Sequence, residues 1–272
     1  MKFNSKQILL VTIALVVTAT LFVMGYKTPF GQNSSKGVSV LSEQFDAEGF
    51  LKEQKAKLTP EQSKQVELLE ADKKNKENLV QLANLWDSLK VTYLSAYYTL
   101  QLAQLENNEI TWFAAGSKFY NVANFASDSL LGTHAIGKAK EAYSKVLELN
   151  PANLQAKSAL AVCIIQGDND VMKGVSLLKE VVATDSNNVQ AIFTLGMLSI
   201  QSSQFEKAQE RFEKLIKLEP FNPEYYFYLG EVYAKSGNVA KAIKTYETCK
   251  TLVTDKEAKK EIDQIINKLN KL

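Results

Sequence analysis

The chain of 272 residues is poor in the side chains that most site chemistry draws on: one histidine, two cysteines and a single arginine. His134 alone leaves no basis for a histidine metal cluster or a Ser-His-Asp arrangement. A nucleic-acid groove uses a concentrated basic face with bidentate arginines. Here the net charge is +2, Lys and Glu are interspersed, and Arg211 is the lone guanidinium, so no such groove is read. Cys163 and Cys249 fall 86 residues apart among apolar neighbours in helical patterns, where free cysteine behaves as a small hydrophobe rather than half of a disulfide. Glycine and proline are also scarce, at 12 and 5, while Ala, Leu, Lys, Glu and Gln abound, so helix is the favoured element. With 46% apolar and 23% charged residues the chain is composed as a folded protein.

One long apolar run departs from that composition. Residues 8–24, "ILLVTIALVVTATLFVM", carry no charge and only three threonines as polar groups. As a helix the run spans roughly 25 Å, close to the hydrocarbon thickness once Gly25 and Tyr26 join it. A cleaved signal peptide is the competing reading, but the apolar stretch is long for one and "VMG" is a poor small-x-small site. An uncleaved anchor is therefore expected. Lys2 and Lys6 on one side, against Lys27 on the other, place the N-terminus in the cytoplasm and the rest of the chain outside.

The remainder repeats itself. Leu229-Gly230 is matched by Leu195-Gly196 and, 35 residues further back, by Leu160-Ala161. A second small residue recurs as Ala139, Gly174, Ala208 and Ala242, at spacings of 35, 34 and 34, and four residues beyond each lies Tyr143, Leu178, Phe212 or Tyr246. Units of this length are pairs of short amphipathic helices that cannot bury their apolar faces alone. Two antiparallel helices approach closely only where small residues meet, so the paired small positions mark the helix–helix contact, with the large residue filling space toward the next unit.

This pattern resembles the tetratricopeptide repeat (TPR) family, whose period is 34 and whose signature is W-x2-L-G-x2-Y, then A-x3-F, then P. The best copy here runs Ile192, Leu195, Gly196, Ser199, Ala208, Phe212, Pro220, and the next runs Tyr226, Leu229, Gly230, Tyr233, Ala242, Tyr246, Thr254. Trp112, Ala115, Gly116 and Phe119 begin an earlier copy that Ala139, Tyr143 and Pro151 complete after eleven extra residues. Leu79, Leu82, Ala83 and Trp86, with Ala96, Leu100 and Ala103, form one more.

The resemblance implies an all-α fold, an α-solenoid of four to five helix-pair repeats with a C-terminal capping helix and an N-terminal transmembrane helix. The expected order is a cytoplasmic stub and anchor at 1–26, a tether at 27–42 reaching ~18 Å, a helical segment at 43–76, repeats at 77–254 with an insertion near 127–138, and the cap at 255–272. The segment at 43–76 holds two helices, one near 43–57 and one started by Thr59, Pro60 and Gln62.

Short motifs weigh little against this frame. "GTHAIGK" (132–138) has phosphate-loop spacing, but Ala139 follows where Ser or Thr is needed, and Gly132 and Gly137 read instead as turn residues of an inserted loop or turn of helix. Asp168 and Asp170 in "GDND" read as a solvated turn. No catalytic, metal-binding or cofactor-binding residue, no small-molecule substrate and no cofactor is assigned, and the chain reads as a non-enzyme. In the TPR fold the first helix of each pair lines the concave face, which assigns Phe113, Tyr120, Phe193, Met197, Ile200, Phe227 and Glu231, together with Ser117, Ser158, Val162 and Ile165, to partner contact. The trough suits an apolar segment or an amphipathic helix of a protein partner, unless the chain's own helix at 43–57, with Phe45, Phe50 and Leu51, fills it. By resemblance to bacterial membrane-anchored TPR proteins, the expected role is a single-pass scaffold of the inner membrane, facing the periplasm, in envelope protein assembly or secretion. A homo-oligomeric scaffold and a cytoplasm-facing adaptor are the alternatives.

Overall fold

The computed structural model describes residues 45–271, and among these every regular element is an α-helix. There are thirteen: α1 (Ala47–Ala56), α2 (Pro60–Glu70), α3 (Lys76–Ser88), α4 (Thr92–Glu106), α5 (Glu109–Phe125), α6 (Ser129–Leu149), α7 (Leu154–Gly167), α8 (Val171–Thr184), α9 (Val189–Gln201), α10 (Phe205–Leu218), α11 (Pro223–Lys235), α12 (Val239–Leu252) and α13 (Lys256–Leu269). None of them is long and apolar enough to cross a membrane. The apolar run at 8–24 and the tether at 27–42 lie outside the described residues.

Helix starts follow capping chemistry. The Thr59 hydroxyl accepts from the Gln62 N–H while the Gln62 side chain accepts from the Thr59 N–H, and Pro60 opens α2, as the sequence leads one to expect. Asn75, Asn108, Asn153, Asn222 and Asp255 cap α3, α5, α7, α11 and α13 in the same manner. The 34-residue period returns in the turns inside the pairs. Asn169, Ser203 and Gly237 all have positive φ, as does Lys90. The N–H groups of Val91, Gln204 and Asn238 each reach back to the carbonyls of Trp86, Ser199 and Tyr233 at 3.0, 2.8 and 2.8 Å, closing the first helix of each pair.

The described residues fall into two compact units, one ending at Ala191 and the other beginning at Ile192. In the first, α3 packs on α4, α4 on α5, α5 on α6, α6 on α7 and α7 on α8; in the second, α10 packs on α11, α11 on α12 and α12 on α13. Packing between consecutive helices is what a helix-pair repeat requires. Ala139, Ala208 and Ala242 are fully buried, and an added Cβ on Gly174 would lie 2.8 Å from the Ala161 carbonyl oxygen. The small positions are therefore the contact points within each pair.

Two expectations need amending. The large residue after the second small position is read from sequence as filling space toward the next unit. Its ring also rests on the glycine of its own pair, which that reading missed: an added Cβ on Gly116, Gly196 or Gly230 would come within 2.7, 3.1 and 2.9 Å of Tyr143, Phe212 and Tyr246. Phe212 in addition stacks on Tyr228 of α11, with centroids 5.5 Å apart. Second, of the two forms left open for the insertion near 127–138, loop or turn of helix, it takes the helical one from Ser129 on, so its glycines are not turn residues. It lengthens α5 to 17 residues and α6 to 21, against 14 each for α7 and α8. Gly132 and Gly137 sit inside α6 and make no turn, and "GTHAIGK" is helical throughout, with Ala135 and Ile136 buried.

The N-terminal helices are tied to the first pair by a polar junction. Glu70 of α2 accepts from Lys55 of α1 at 2.5 Å and from the Tyr98 hydroxyl of α4, with Lys73 at 3.9 Å. Burial by itself raises the Glu70 carboxyl, but those hydrogen bonds and the charges of Lys55 and Lys73 outweigh it and hold it below the usual range. Leu269, Ile265 and Ile266 of α13 are half-buried and Ile262 is buried, while the opposite side of that helix is Lys- and Glu-rich and exposed.

Candidate partner-binding faces

Each expected partner-facing phenylalanine is half-buried and leans on the second-helix ring seated on its own pair's glycine. The Phe113 and Tyr143 centroids are 5.3 Å apart, those of Phe193 and Phe212 6.1 Å, and those of Phe227 and Tyr246 5.6 Å. A three-part stack of glycine, second-helix aromatic and first-helix phenylalanine thus recurs in three pairs. It holds the outer ring in place at little entropic cost, as a contact residue should be held.

In the second unit this stack sits in a wider aromatic cluster. Phe193 also meets Tyr225 and Tyr228, at 5.9 and 5.7 Å. Along α11, Glu224, Phe227 and Glu231 fall at i, i+3 and i+7, on one helical face. Glu231 pairs with Lys235 at 2.9 Å. Glu224 is half-buried, and burial pushes its carboxyl above the usual range. Glu224 escaped the sequence reading, which counted forward from Phe227 but not one turn back. Met197 is half-buried on α9 beside this cluster.

Other assignments fare differently. Ile200, at 7% exposure, and Ser158, at 1%, are closed inside the fold and offer a partner almost nothing. Ser158 turns its hydroxyl to the Leu154 carbonyl at 2.9 Å. Tyr120 is half-buried, its hydroxyl accepting from the Gln166 amide at 3.3 Å. Arg211 donates to the Leu195 carbonyl at 3.1 Å and to the Ser199 hydroxyl, so the lone guanidinium braces α9 against α10. Cys163 and Cys249 are free and buried, and burial pushes both thiols up to about 12. Among the described residues no group of three or more His, Cys, Asp or Glu gathers as a metal ion would need.

Phe45 lies 5.0 Å from Tyr93 and 5.1 Å from His134, and Phe50 lies 5.3 Å from Tyr93. The aromatic residues at the chain's own first helix thus pack at the start of α4 and on the extension of α6. His134 Nε2 stands 3.3 Å from the Tyr93 hydroxyl. Burial lowers its imidazole pKa, Lys138 adds to this and Glu141 opposes it. A lowered folded-state pKa means the unfolded chain takes up the proton first as pH falls. The stabilising contribution of the neutral ring is therefore complete above the ordinary histidine value of about 6.5 and is lost as pH drops through the lowered one. The urea midpoint of the protein is expected to fall between pH 7 and pH 5, and to fall less steeply in His134→Gln; parallel profiles would mean that the ring accepts its proton without cost.

Comparison with known proteins places these helix pairs. The tetratricopeptide repeat profile matches residues 193–249. The mitochondrial import receptor subunit TOM70 of Rattus norvegicus is 29% identical over 92 residues, which is 34% of this chain and 15% of the receptor. The chain thus spans a small part of that relative. Among solved structures, the type IV pilus biogenesis factor PilW superposes with a TM-score of 0.55 at 14% identity, over 79% of this chain and 93% of PilW. MamA from Desulfovibrio magneticus RS-1 superposes with a TM-score of 0.52 at 19% identity, over 66% of this chain and 95% of MamA. At those identities the likeness is one of fold. The glycine notches, the 34-residue turns and the matched segment all agree: residues 193–249 are tetratricopeptide repeats, and the helix pairs before them are built in the same way.

Proposed function

We propose that this protein is a membrane-anchored scaffold that holds a protein or peptide partner against the first helices of its repeats. The observation that carries the reading is Phe227: half-buried, backed by Tyr246 over Gly230, and flanked on the same face by Glu224 and Glu231. A fixed aromatic between two carboxylates suits an amphipathic helix or extended segment that presents an apolar side chain beside a cation. The repeats shared with a mitochondrial import receptor subunit support a protein-binding role. The apolar run at 8–24 and its flanking lysines support a single N-terminal span, with the repeats on the extracytoplasmic side of a bacterial inner membrane. Such a tether raises the concentration of the repeats near other membrane-bound proteins, to about the millimolar range for a short linker.

Photo-crosslinking in intact cells tests this, with benzoylphenylalanine placed at Phe193, at Phe227 and at the exposed Lys207 as control. Capture of one other protein from both aromatic positions and not from Lys207 is expected, in a membrane fraction that resists alkaline extraction. Capture of a second copy of this chain would favour the homo-oligomeric scaffold, and absence of capture at both positions would overturn partner binding there.

A further inference from the structure

The extra turns of α6 contribute nothing to the glycine notches, yet they place two side chains on a second surface. His134 and Lys138 of α6, with Ala47 of α1, Lys73 from the α2–α3 connection, and Tyr97 and Gln101 of α4, line an open cleft of about 600 Å³ in the first unit. Its accessible apolar surface comes from the half-buried Tyr97 and the exposed Leu105, while Leu100 and Phe119 beneath them are closed inside the fold. Most of the lining comes from α4 and α6, the second helices of their pairs; Phe119 of α5 also reaches it but is buried, and Phe113 is not among the lining residues. Its volume is within the range of about 300–1,000 Å³ common to ligand sites, and its open form suits a chain segment better than an enclosed small molecule.

The formally charged side chains that line the cleft are both lysines, each with a glutamate beside it outside the lining. Lys73 and Lys138 stand on its rim and no carboxylate lines it. Lys138 has Glu141 at 2.8 Å, an i,i+3 pair with both side chains more than a third exposed, and such pairs are worth little. Lys73 has only Glu70 at 3.9 Å, and that carboxylate is already engaged by Lys55 at 2.5 Å and by Tyr98. Each ammonium carries three donors, so both keep capacity for a further acceptor. Gln101 and its neighbour Gln104 add amides able to pair with a peptide backbone.

We infer that this cleft binds an acidic, apolar peptide segment of a partner protein. The segment's carboxylates would meet Lys73 and Lys138, and an apolar or aromatic side chain would lie against Tyr97 and Leu105. The helical extension of the α5–α6 pair buries Ala135 and Ile136 on one side and supplies one wall of that site on the other. It does not depend on the Phe193 and Phe227 faces.

The test uses the full chain in detergent and two rhodamine-labelled peptides, Glu-Leu-Phe-Glu-amide and Lys-Leu-Phe-Lys-amide, followed by fluorescence anisotropy. The acidic peptide is expected to bind about tenfold more tightly than the basic one, and less tightly as salt is raised. The double variant Lys73→Glu/Lys138→Glu, which alters only solvent-exposed rims and keeps the helical circular dichroism, is expected to lose that preference or reverse it. With benzoylphenylalanine in place of Phe, label should appear within residues 93–105 or 131–138, and Phe193→Ala/Phe227→Ala should leave both affinity and label unchanged. Equal binding of the two peptides, indifference to the charge reversal, label on α9 or α11, or loss of label at high protein concentration through cover by a second copy would each overturn the inference.

Discussion

Phe212→Ala is expected to lower the free energy of unfolding by about 3–5 kcal/mol, read from urea denaturation followed by circular dichroism. The ring is wholly buried, and it is committed on three sides. One side covers Gly196, where even an added Cβ would stand 3.1 Å from the ring. A second stacks on Tyr228 at 5.5 Å and 28°, and the third meets Phe193 edge-on at 6.1 Å and 88°. Glycine has no side chain to move into the vacated space, and Arg211 braces the same two helices by its bonds to Leu195 and Ser199, so the notch cannot close by sliding. The loss should include the transfer term, the cavity and most of the aromatic pairing. Amides of α10 and α11 should lose protection from hydrogen exchange first. A cost under about 1 kcal/mol would mean that the helices collapse onto one another, and that the glycine–ring contact is incidental to the pair.

Gly230→Leu tests the same contact from the opposite side, by overfilling it. An added Cβ alone would sit 2.9 Å from Tyr246 Cε1, and Tyr246 is 3% exposed, held by Phe227 and the surrounding helices. The substitution is expected to cost about 1–3 kcal/mol even though leucine is the better helix former. Two companions sharpen the reading. Gly137→Leu, at a helical position with nothing within 4 Å of its Cβ, should be neutral or stabilising. Gly230→Leu combined with Tyr246→Ala should cost less than the sum of the two single changes, because removing the ring admits the leucine. Additive costs would show that residues 230 and 246 are not the point of contact.

The repeat was legible because its determinants are short-range and periodic. Leu195-Gly196 and Leu229-Gly230 announce a close approach wherever they recur, and Thr59-Pro60-Gln62 or Asn222-Pro223 announce a helix start whatever surrounds them. Less legible were features whose chemistry differs from the usual residue. Among the described residues three of the five positive-φ positions are Lys90, Asn169 and Ser203, and only Gly237 carries glycine, so the 34-residue recurrence of the turns hides behind unlike side chains. The insertion was found by offset but not by form. Gly132 and Gly137 argue for a turn, yet Asp128 caps a helix there and the apolar positions Ala135, Ile136 and Ala139 bury one side of it. Burial of a periodic face outweighs glycine's propensity of about 1 kcal/mol.

By itself the sequence determined that the chain is helical, that its helices come in pairs of period 34, and that Gly116, Gly196 and Gly230 are where those pairs touch. These follow from local rules that each segment carries with it. Tertiary structure decided which ring fills each notch, that Ile200 is closed off while Phe227 is presented, that Glu224 joins Glu231 beside it, and that Phe45 and Phe50 settle against Tyr93 and His134. Those outcomes depend on distances between residues remote in the chain, and burial of one apolar side chain rather than its neighbour is chosen only when all the helices compete for the same space.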